Sequence, residues 1–218
     1  FISKVIKNLK PNVNLNEIGI AEGVEYRTEI EISKNKEEIC LEKFLKEYNL
    51  IFQKYAVIGL GSSSEHKNWP VKNFVEVARY LKQKRELEIV VVGSKESEKK
   101  VKEFEMLFGE KFINLVSKTD LENLCLLIKN SKILLANDTS LIHIGIAFRI
   151  PTICPIINDY LGVDSLYGYK QINKWVFYDK EIGEESLKKL KPEQVIEVIE
   201  QVLISKLEKD KFLLFYNV

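Results

Sequence analysis

From residue 55 onward, short continuous apolar runs alternate with longer segments whose apolar residues recur at helical spacing. Such runs are typical of strands buried on both faces, and the amphipathic helices between them supply the cover. The runs predict strands at residues 55–60, 88–92, 111–115, 132–136, 151–157 and 175–178. Right-handed crossovers then join these strands into an α/β domain, a Rossmann-like parallel sheet with helices on both faces.

The regions on either side of this domain have a different character. Residues 24–32 alternate like a half-buried strand and residues 37–48 have a helical pattern, which is typical of the tail of a preceding unit and a connector. The chain does not begin with Met, so we expect further sequence upstream. Pro192 suits the first turn of a closing helix. We therefore divide the chain at 1–54, 55–190 and 191–218.

The composition excludes several classes of protein. The 33 basic and 32 acidic residues almost cancel, unlike the charge of a general nucleic-acid binder. Charged residues interrupt every apolar run before it could span a bilayer, and no secretory signal opens the chain. Cys40, Cys125 and Cys154 lie far apart without a metal-ligand spacing. We expect Cys125 and Cys154 to be small core residues in a reducing, cytoplasmic protein.

The loop after the first strand contains two glycines and three serines, followed by Lys67. Backbone amides, the hydroxyls of Ser62 and Ser63, and the Lys67 ammonium are all suited to phosphate oxygens. The loop lacks the Gly-Lys-Ser/Thr ending of a P-loop and the third glycine of a dinucleotide fingerprint. The alternative is an ordinary surface loop with a solvated lysine. We expect Trp69 to pack on the following helix and not to stack on a ligand.

The segment after residue 136 offers a second group of polar residues. Asp138, Thr139 and Ser140 are all good N-cap residues, and an apolar helix begins at once with Leu141. A helix N-terminus beside a serine loop and a lysine is suited to a diphosphate. The alternative is a plain N-cap. His143 on its own is more often a hydrogen-bonded core histidine than a functional group.

Two acids follow the second strand. Glu96 or Glu98 is placed to accept hydrogen bonds from ribose hydroxyls, as an acid after the second strand of such a domain does. The alternative, a solvated helix face of mixed charge, is favoured for either glutamate taken alone.

Taken in order, these segments resemble the heptosyltransferase family, which passes heptose from ADP-heptose to the lipopolysaccharide core. The similar pieces are Ser62-Ser63 with Lys67-x-Trp69-Pro70, Gly93 with acids after it, Lys118-Thr119-Asp120-Leu121, Asn137-Asp138-Thr139-Ser140-Leu141-x-His143, and Pro151. The resemblance spans about residues 55–156, and the closing helix fits it as well.

The resemblance implies the two-domain GT-B fold, with this chain as the C-terminal, sugar-donor-binding half. Residues 1–54 would then be the remnant of the N-terminal acceptor domain and its linker. The phosphates would contact Ser62, Ser63 and Lys67, with the helix N-terminus opposite. The stretch at Thr119 and Leu121 would line the adenine. The residues assigned to the sugar donor are Ser62, Ser63, Lys67, Glu96, Thr119, Asp138, Thr139, Ser140, Leu141 and His143.

The resemblance also implies the chemistry, an inverting sugar transfer that needs neither a metal nor a cofactor. The family's catalytic Asp lies near the start of the N-terminal domain, and no matching Gly-Asp segment exists here. No catalytic residue is therefore predicted in this chain. The implied partners are a nucleotide sugar and a lipopolysaccharide core or other glycolipid acceptor. The implied location is cytoplasmic, with peripheral contact at the inner membrane.

Two other functions compete with this interpretation. A nicotinamide-dependent oxidoreductase domain requires a complete Gly-x-Gly-x-x-Gly, and the third glycine is missing after Gly59 and Gly61. A non-catalytic nucleotide-binding module requires only the sugar-donor side of the site.

Overall fold

A parallel sheet forms the centre of the described structure, a computed structural model that covers residues 42, 45–62, 65–157, 175–179 and 186–205. In the described part of the chain the sheet has six strands, in the order β3-β2-β1-β4-β5-β6, and neighbouring strands pair in parallel. They are β1 (Tyr55–Gly59), β2 (Glu88–Val92), β3 (Ile113–Asn114), β4 (Ile133–Ala136), β5 (Thr152–Ile157) and β6 (Trp175–Asp179). The predicted Rossmann-like sheet is confirmed.

Helices cover both faces of the sheet. They are α1 (Val71–Arg85), α2 (Glu98–Phe108), α3 (Leu121–Lys129), α4 (Ser140–Ala147), α5 (Ser186–Lys189) and α6 (Pro192–Ser205). Buried residues of α1, α2, α5 and α6 form one hydrophobic cluster, and those of α3 and α4 form a second. The sequence pattern did not predict the short helix α5.

Strand β1 contributes to both clusters because successive side chains of a strand point to opposite faces. Ala56 and Ile58 lie in the cluster with α1, while Tyr55 and Val57 lie in the cluster with α3. All five residues of β1 are buried. Burial on both faces is the reason that the sequence shows continuous apolar runs and not alternation.

Helix α6 shares this core. Val195, Ile199 and Val202 are buried in the cluster that α1 lines. At the rim, both Arg85 and Tyr80 of α1 hydrogen-bond to the carboxylate of Glu200. The predicted strand at residues 24–32 lies outside the described residues.

The helix predicted over residues 37–48 is described only in part, with helical backbone at Glu42 and at residues 45–48. Within the described ranges, no helix is both long and apolar enough to cross a bilayer.

A hydrogen bond inside the second cluster ties the central strand to a covering helix. The Tyr55 hydroxyl donates to the carbonyl oxygen of Leu127 in α3 at 2.7 Å, and Tyr55 is fully buried. Burial raises the pKa of Tyr55 well above its usual range, since a phenolate there would be poorly solvated.

We predict that Tyr55→Phe destabilises the protein by about 1–2 kcal/mol, because the Leu127 carbonyl loses a buried partner. In the parent, the raised pKa means that ionisation of Tyr55 favours the unfolded chain once the pH exceeds the unfolded value of about 10. The parent should therefore lose stability above that pH through a contribution that the variant lacks.

Urea unfolding of parent and variant below and above this pH measures both effects. An equal loss of stability in the two proteins on going to high pH would show that Tyr55 is not the group responsible.

Candidate functional site

The crevice between the loops that follow β1 and β4 is where a ligand fits this sheet. Strands β2 and β3 lie on one side of β1, while β4, β5 and β6 lie on the other. The connections from β1 and β4 therefore leave in opposite directions, and their loops diverge at the carboxyl edge. This crevice is the switch point of the sheet. Many of the sequence-predicted residues lie in these loops, at residues 60–70 and 137–140.

Lys67 and Asp138 meet across this crevice although they are far apart in the sequence. Lys67 Nζ lies 2.6 Å from Asp138 Oδ2. The side chains are 40% and 16% exposed respectively, so a ligand in the crevice can reach both. A partly exposed ion pair contributes no more than about 1 kcal/mol to stability. An incoming anion can therefore rearrange the pair at small cost.

The amino end of α4 begins directly after Asp138. Thr139 is the N-cap, with extended backbone, and its hydroxyl oxygen accepts a long 3.4 Å hydrogen bond from the Leu141 N–H. Ser140 is the first helical residue and is half-buried. The first N–H groups of a helix have no acceptor within the helix, and the helix dipole places partial positive charge there. This end of α4 is therefore suited to an anion.

The structure gives Leu141 and His143 different roles. The Leu141 side chain is only 7% exposed and packs over Gly59, where an added Cβ would lie 2.4 Å from Leu141 Cδ1. Its side chain is thus part of the core, which leaves only its backbone for a predicted binding role. His143 lies one turn inside α4 and is half-buried.

Of the two serines predicted to hold phosphates, Ser62 is half-buried in the loop after β1. Ser63 lies outside the described residues. The 3-10 turn Glu65–Lys67 ends at Lys67, whose side chain contacts Asp138.

The predicted ribose acids lie one strand away, after β2. Glu96 is exposed in the 3-10 turn Lys95–Ser97, and the Ser94 hydroxyl donates to its carboxylate. That hydrogen bond lowers the pKa of Glu96 and keeps the carboxylate ionised. Glu98 is exposed at the first position of α2. Both acids remain available as acceptors for hydroxyl groups.

Thr119 lies one strand further along, in the loop between β3 and α3. The Ser117 N–H donates to the Gly93 carbonyl at 2.9 Å, which joins this loop to the one after β2. Asp120 caps α3 by accepting from the Asn123 N–H at 2.7 Å. Thr119, just before the cap, is half-buried at the same edge of the sheet as Glu96.

Trp69 packs in the core, as predicted. It is 1% exposed, and its ring meets Phe74 of α1 edge-on with centroids 5.0 Å apart. The indole N–H donates to the Leu190 carbonyl at 2.9 Å. The indole therefore anchors the end of the loop.

Asn137 is a residue of the site that the sequence analysis did not assign. It is fully buried immediately after β4, and its carboxamide bonds to Leu60, Asn68 and Trp69 in the facing loop. A polar residue directly after a core strand is a signal in the sequence, but its partners emerge only when the two loops meet.

Ser97 is a second residue that was missed, and it lies between the loops after β1 and β2. It is 3% exposed. A Cβ at Gly61 would lie 2.2 Å from Ser97 Oγ, and one at Gly93 would lie 2.7 Å from the same atom. The two loops approach this closely because neither glycine carries a side chain.

The two described cysteines are buried and unbridged, as expected for core residues. Burial raises the pKa of Cys125 to about 11, and it raises the pKa of Cys154 well above its usual range. Among the described residues, no three His, Cys, Asp or Glu side chains converge as metal ligands.

An open depression of about 710 Å³ lies beside the 3-10 turn, and residues at the starts of α1 and α5 help to line it. Its charged lining is mixed, with Lys72, Lys100 and Lys188 against Glu65 and Glu103. None of the residues predicted to bind the sugar donor lines it. The crevice with Lys67 and Asp138 remains the candidate site.

The strand order and the polar groups at its switch point define an α/β domain of the Rossmann-like class. The sequence model of glycosyltransferase family 9 (heptosyltransferase) matches residues 18–195. The chain therefore belongs to this family. No curated protein is significantly similar to it in sequence.

Solved structures share its fold. A family 9 glycosyl transferase from Veillonella parvula superposes with a TM-score of 0.72 at 22% identity, over 88% of this chain and 58% of that one. For ADP-heptose lps heptosyltransferase II of E. coli the TM-score is 0.65 at 19% identity, over 82% and 54% of the two chains. E. coli heptosyltransferase WaaC with ADP-2-deoxy-2-fluoro heptose gives 0.55 at 22%, over 69% and 44%.

These neighbours have the GT-B glycosyltransferase fold, so the predicted fold class is confirmed. The part of each neighbour that matches this chain is 44–58% of that neighbour's length.

We predict that Gly61→Ala destabilises the protein by about 1–3 kcal/mol, since the new methyl group overpacks against Ser97. Adding Ser97→Ala should restore most of the loss, because the nearest atom is then the residue 97 Cβ at 3.3 Å. Gly93→Ala is the matched control. Its Cβ would lie 2.9 Å from the Ser97 Cβ itself, so Ser97→Ala should relieve it less.

Urea denaturation of the single and double variants measures these differences. Equal rescue at both glycines, or a Gly61→Ala variant as stable as the parent, would contradict the proposed packing.

Proposed function

We propose that this chain is the sugar-donor-binding half of a glycosyltransferase that transfers heptose or a related sugar from a nucleotide-diphosphate donor. The donor that we propose is ADP-heptose. The acceptor we propose is a lipopolysaccharide core or another surface glycan. The ion pair of Lys67 and Asp138 at the switch point carries this proposal, because it supplies a cation where a diphosphate would lie. Membership of glycosyltransferase family 9 supports it independently.

The order of the loops supports the same proposal. Along the carboxyl edge, the loops after β3, β2, β1 and β4 hold Thr119, Glu96, Lys67 and Asp138 in that order. The proposed contacts are the adenine at Thr119, the ribose at Glu96, and the diphosphate between Lys67 and the helix N-terminus after Asp138. They follow the order of these groups in a nucleotide sugar. Neighbouring strands lie about 4.8 Å apart, so the four loops span about 14 Å. An extended ligand along this edge would meet each group in turn.

The chemistry follows from the position of the positive charge. In an inverting transfer the acceptor oxygen attacks the anomeric carbon, the bond from that carbon to the phosphate oxygen breaks, and its electron pair stays on the departing diphosphate. Lys67 and the amino end of α4 would stabilise that developing charge. By family resemblance the base that takes the acceptor proton belongs to the N-terminal domain. We therefore propose no base within these 218 residues.

A nucleotide titration and a transfer assay distinguish the two competing functions from sugar transfer. NAD binding tighter than ADP binding would favour a nicotinamide-dependent domain. Binding of ADP-heptose without any transfer, measured with the whole gene product and a lipopolysaccharide-core acceptor, would favour a non-catalytic binding module.

We predict that Lys67→Ala weakens ADP binding roughly ten- to hundredfold, the loss of a charge-assisted hydrogen bond worth about 1.5–3 kcal/mol. Folding should barely change, because the ion pair is partly exposed. Calorimetry with ADP and with adenosine measures the effect, and adenosine should bind both proteins alike because it has no phosphate.

The same substitution in an Asp138→Asn background separates two roles of Lys67. If Lys67 contacts the diphosphate, Lys67→Ala still weakens ADP binding there. If Lys67 only neutralises Asp138, its loss has no further effect once that charge is gone. Lys46→Ala is the matched control, since Lys46 forms an exposed ion pair with Glu42. Equal weakening of ADP and adenosine would contradict the phosphate role.

We also predict that ADP binds with unchanged affinity in the presence of a chelator. Lys67 and the α4 amides supply the countercharge that a divalent metal supplies elsewhere. Calorimetry with and without the chelator tests this, and loss of binding in the chelator would overturn the metal-free site.

A further inference from the structure

Asn137 joins the two ends of the loop that carries Lys67. Its Nδ2 donates to the Leu60 carbonyl at 2.9 Å, at the start of the loop. Its Oδ1 accepts from the backbone N–H of Trp69 at 2.9 Å, at the end of the loop. A third, longer bond of 3.3 Å runs from Nδ2 to Asn68 Oδ1. Asn137 is fully buried, so water does not replace these bonds.

The partners fix which way the carboxamide faces. The Trp69 N–H can only donate and the Leu60 carbonyl can only accept, so the oxygen faces Trp69 and the nitrogen faces Leu60. The site therefore needs a donor and an acceptor on one short side chain. Apolar side chains of this size provide neither, and an aspartate in its ionised form provides only the acceptor.

The hydrogen bonds of the Asn137 side chain lie directly beside both members of the Lys67–Asp138 ion pair. Asn68 and Trp69, which these bonds hold, follow Lys67 in the chain, and Asp138 follows Asn137 itself. The Asn137 N–H also donates to the Gly59 carbonyl at 3.2 Å, which extends the β1–β4 pairing by one bond. The backbone that carries Lys67 is thus bonded to the backbone that carries Asp138 through a single buried side chain.

We propose that Asn137 is a positioning residue for the diphosphate. By holding Leu60 and Trp69, its carboxamide sets where Lys67 meets the phosphates of the ligand. This inference rests on the proposed function and extends it to a residue that contacts the loop and not the ligand.

The test is Asn137→Asp, studied as a function of pH. As a carboxylate the new side chain accepts from Trp69 but turns a negative charge toward the Leu60 carbonyl. When protonated it regains a donor, and burial favours the protonated form. Relative to the parent, ADP binding should be about tenfold weaker at about pH 8 and recover to within about threefold at about pH 5.5. Adenosine binding should be unaffected at both values.

Asn130→Asp is the matched control. Asn130 is also buried, and its Nδ2 donates to the Leu126 carbonyl at 2.8 Å, at the end of α3. This variant should lose stability without any selective loss of ADP affinity.

Circular dichroism over the same pH range keeps the result decisive. Starting from the acid side, ADP affinity of Asn137→Asp should fall while the chain is still folded. If affinity falls only as the chain unfolds, or if the folded variant binds ADP like the parent at every pH, the positioning role is overturned. If the parent itself binds ADP no more tightly than adenosine, it is the proposed function that fails.

Discussion

Strand β1 is hydrogen-bonded to β2 on one side and to β4 on the other, and side chains of the two hydrophobic clusters cover its faces. The strand is therefore held at both edges and on both faces, and its register with β2 and β4 fixes its position along its axis. The loop at residues 60–69 leaves its carboxyl end at the centre of the sheet edge. Each group that we assign to the ligand lies on this loop, on a loop that leaves β2, β3 or β4, or at the start of the helix that follows such a loop. The geometry of the site thus depends on the pairing of β1.

Local placement of charge, and not overall charge, determines what this edge can bind. The chain has a formal net charge of only +1. Lys67 is nevertheless held against Asp138 at the amino end of α4. A diphosphate would enter next to a carboxylate as well as an ammonium, so its affinity depends on how far Lys67 can turn from one to the other. On the proposed function the position of the loop therefore matters, and the bonds of Asn137 would have consequences beyond stability.

Periodicity was sufficient to predict the sheet because strands buried on both faces leave an unambiguous pattern. The bounds of β2 were predicted without error, and those of β1, β4 and β5 to within one residue. Helix α5 was missed because four residues are too few to establish a helical period. Ser97 and Asn137 were missed for a different reason. Each contacts residues of another loop, and no pattern within a short stretch of sequence predicts such contacts.

The sequence by itself determined the parallel α/β architecture, the family resemblance and the polar residue types at the carboxyl edge. These depend on the spacing of apolar residues and on the order of short motifs along the chain. Only the tertiary structure decided that Lys67 pairs with Asp138, that Leu141 turns its side chain into the core, and that Asn137 holds the facing loop. Those contacts join residues about 70 to 80 positions apart, and the parallel pairing of β1 with β4, which places their carboxyl ends side by side, brings them together.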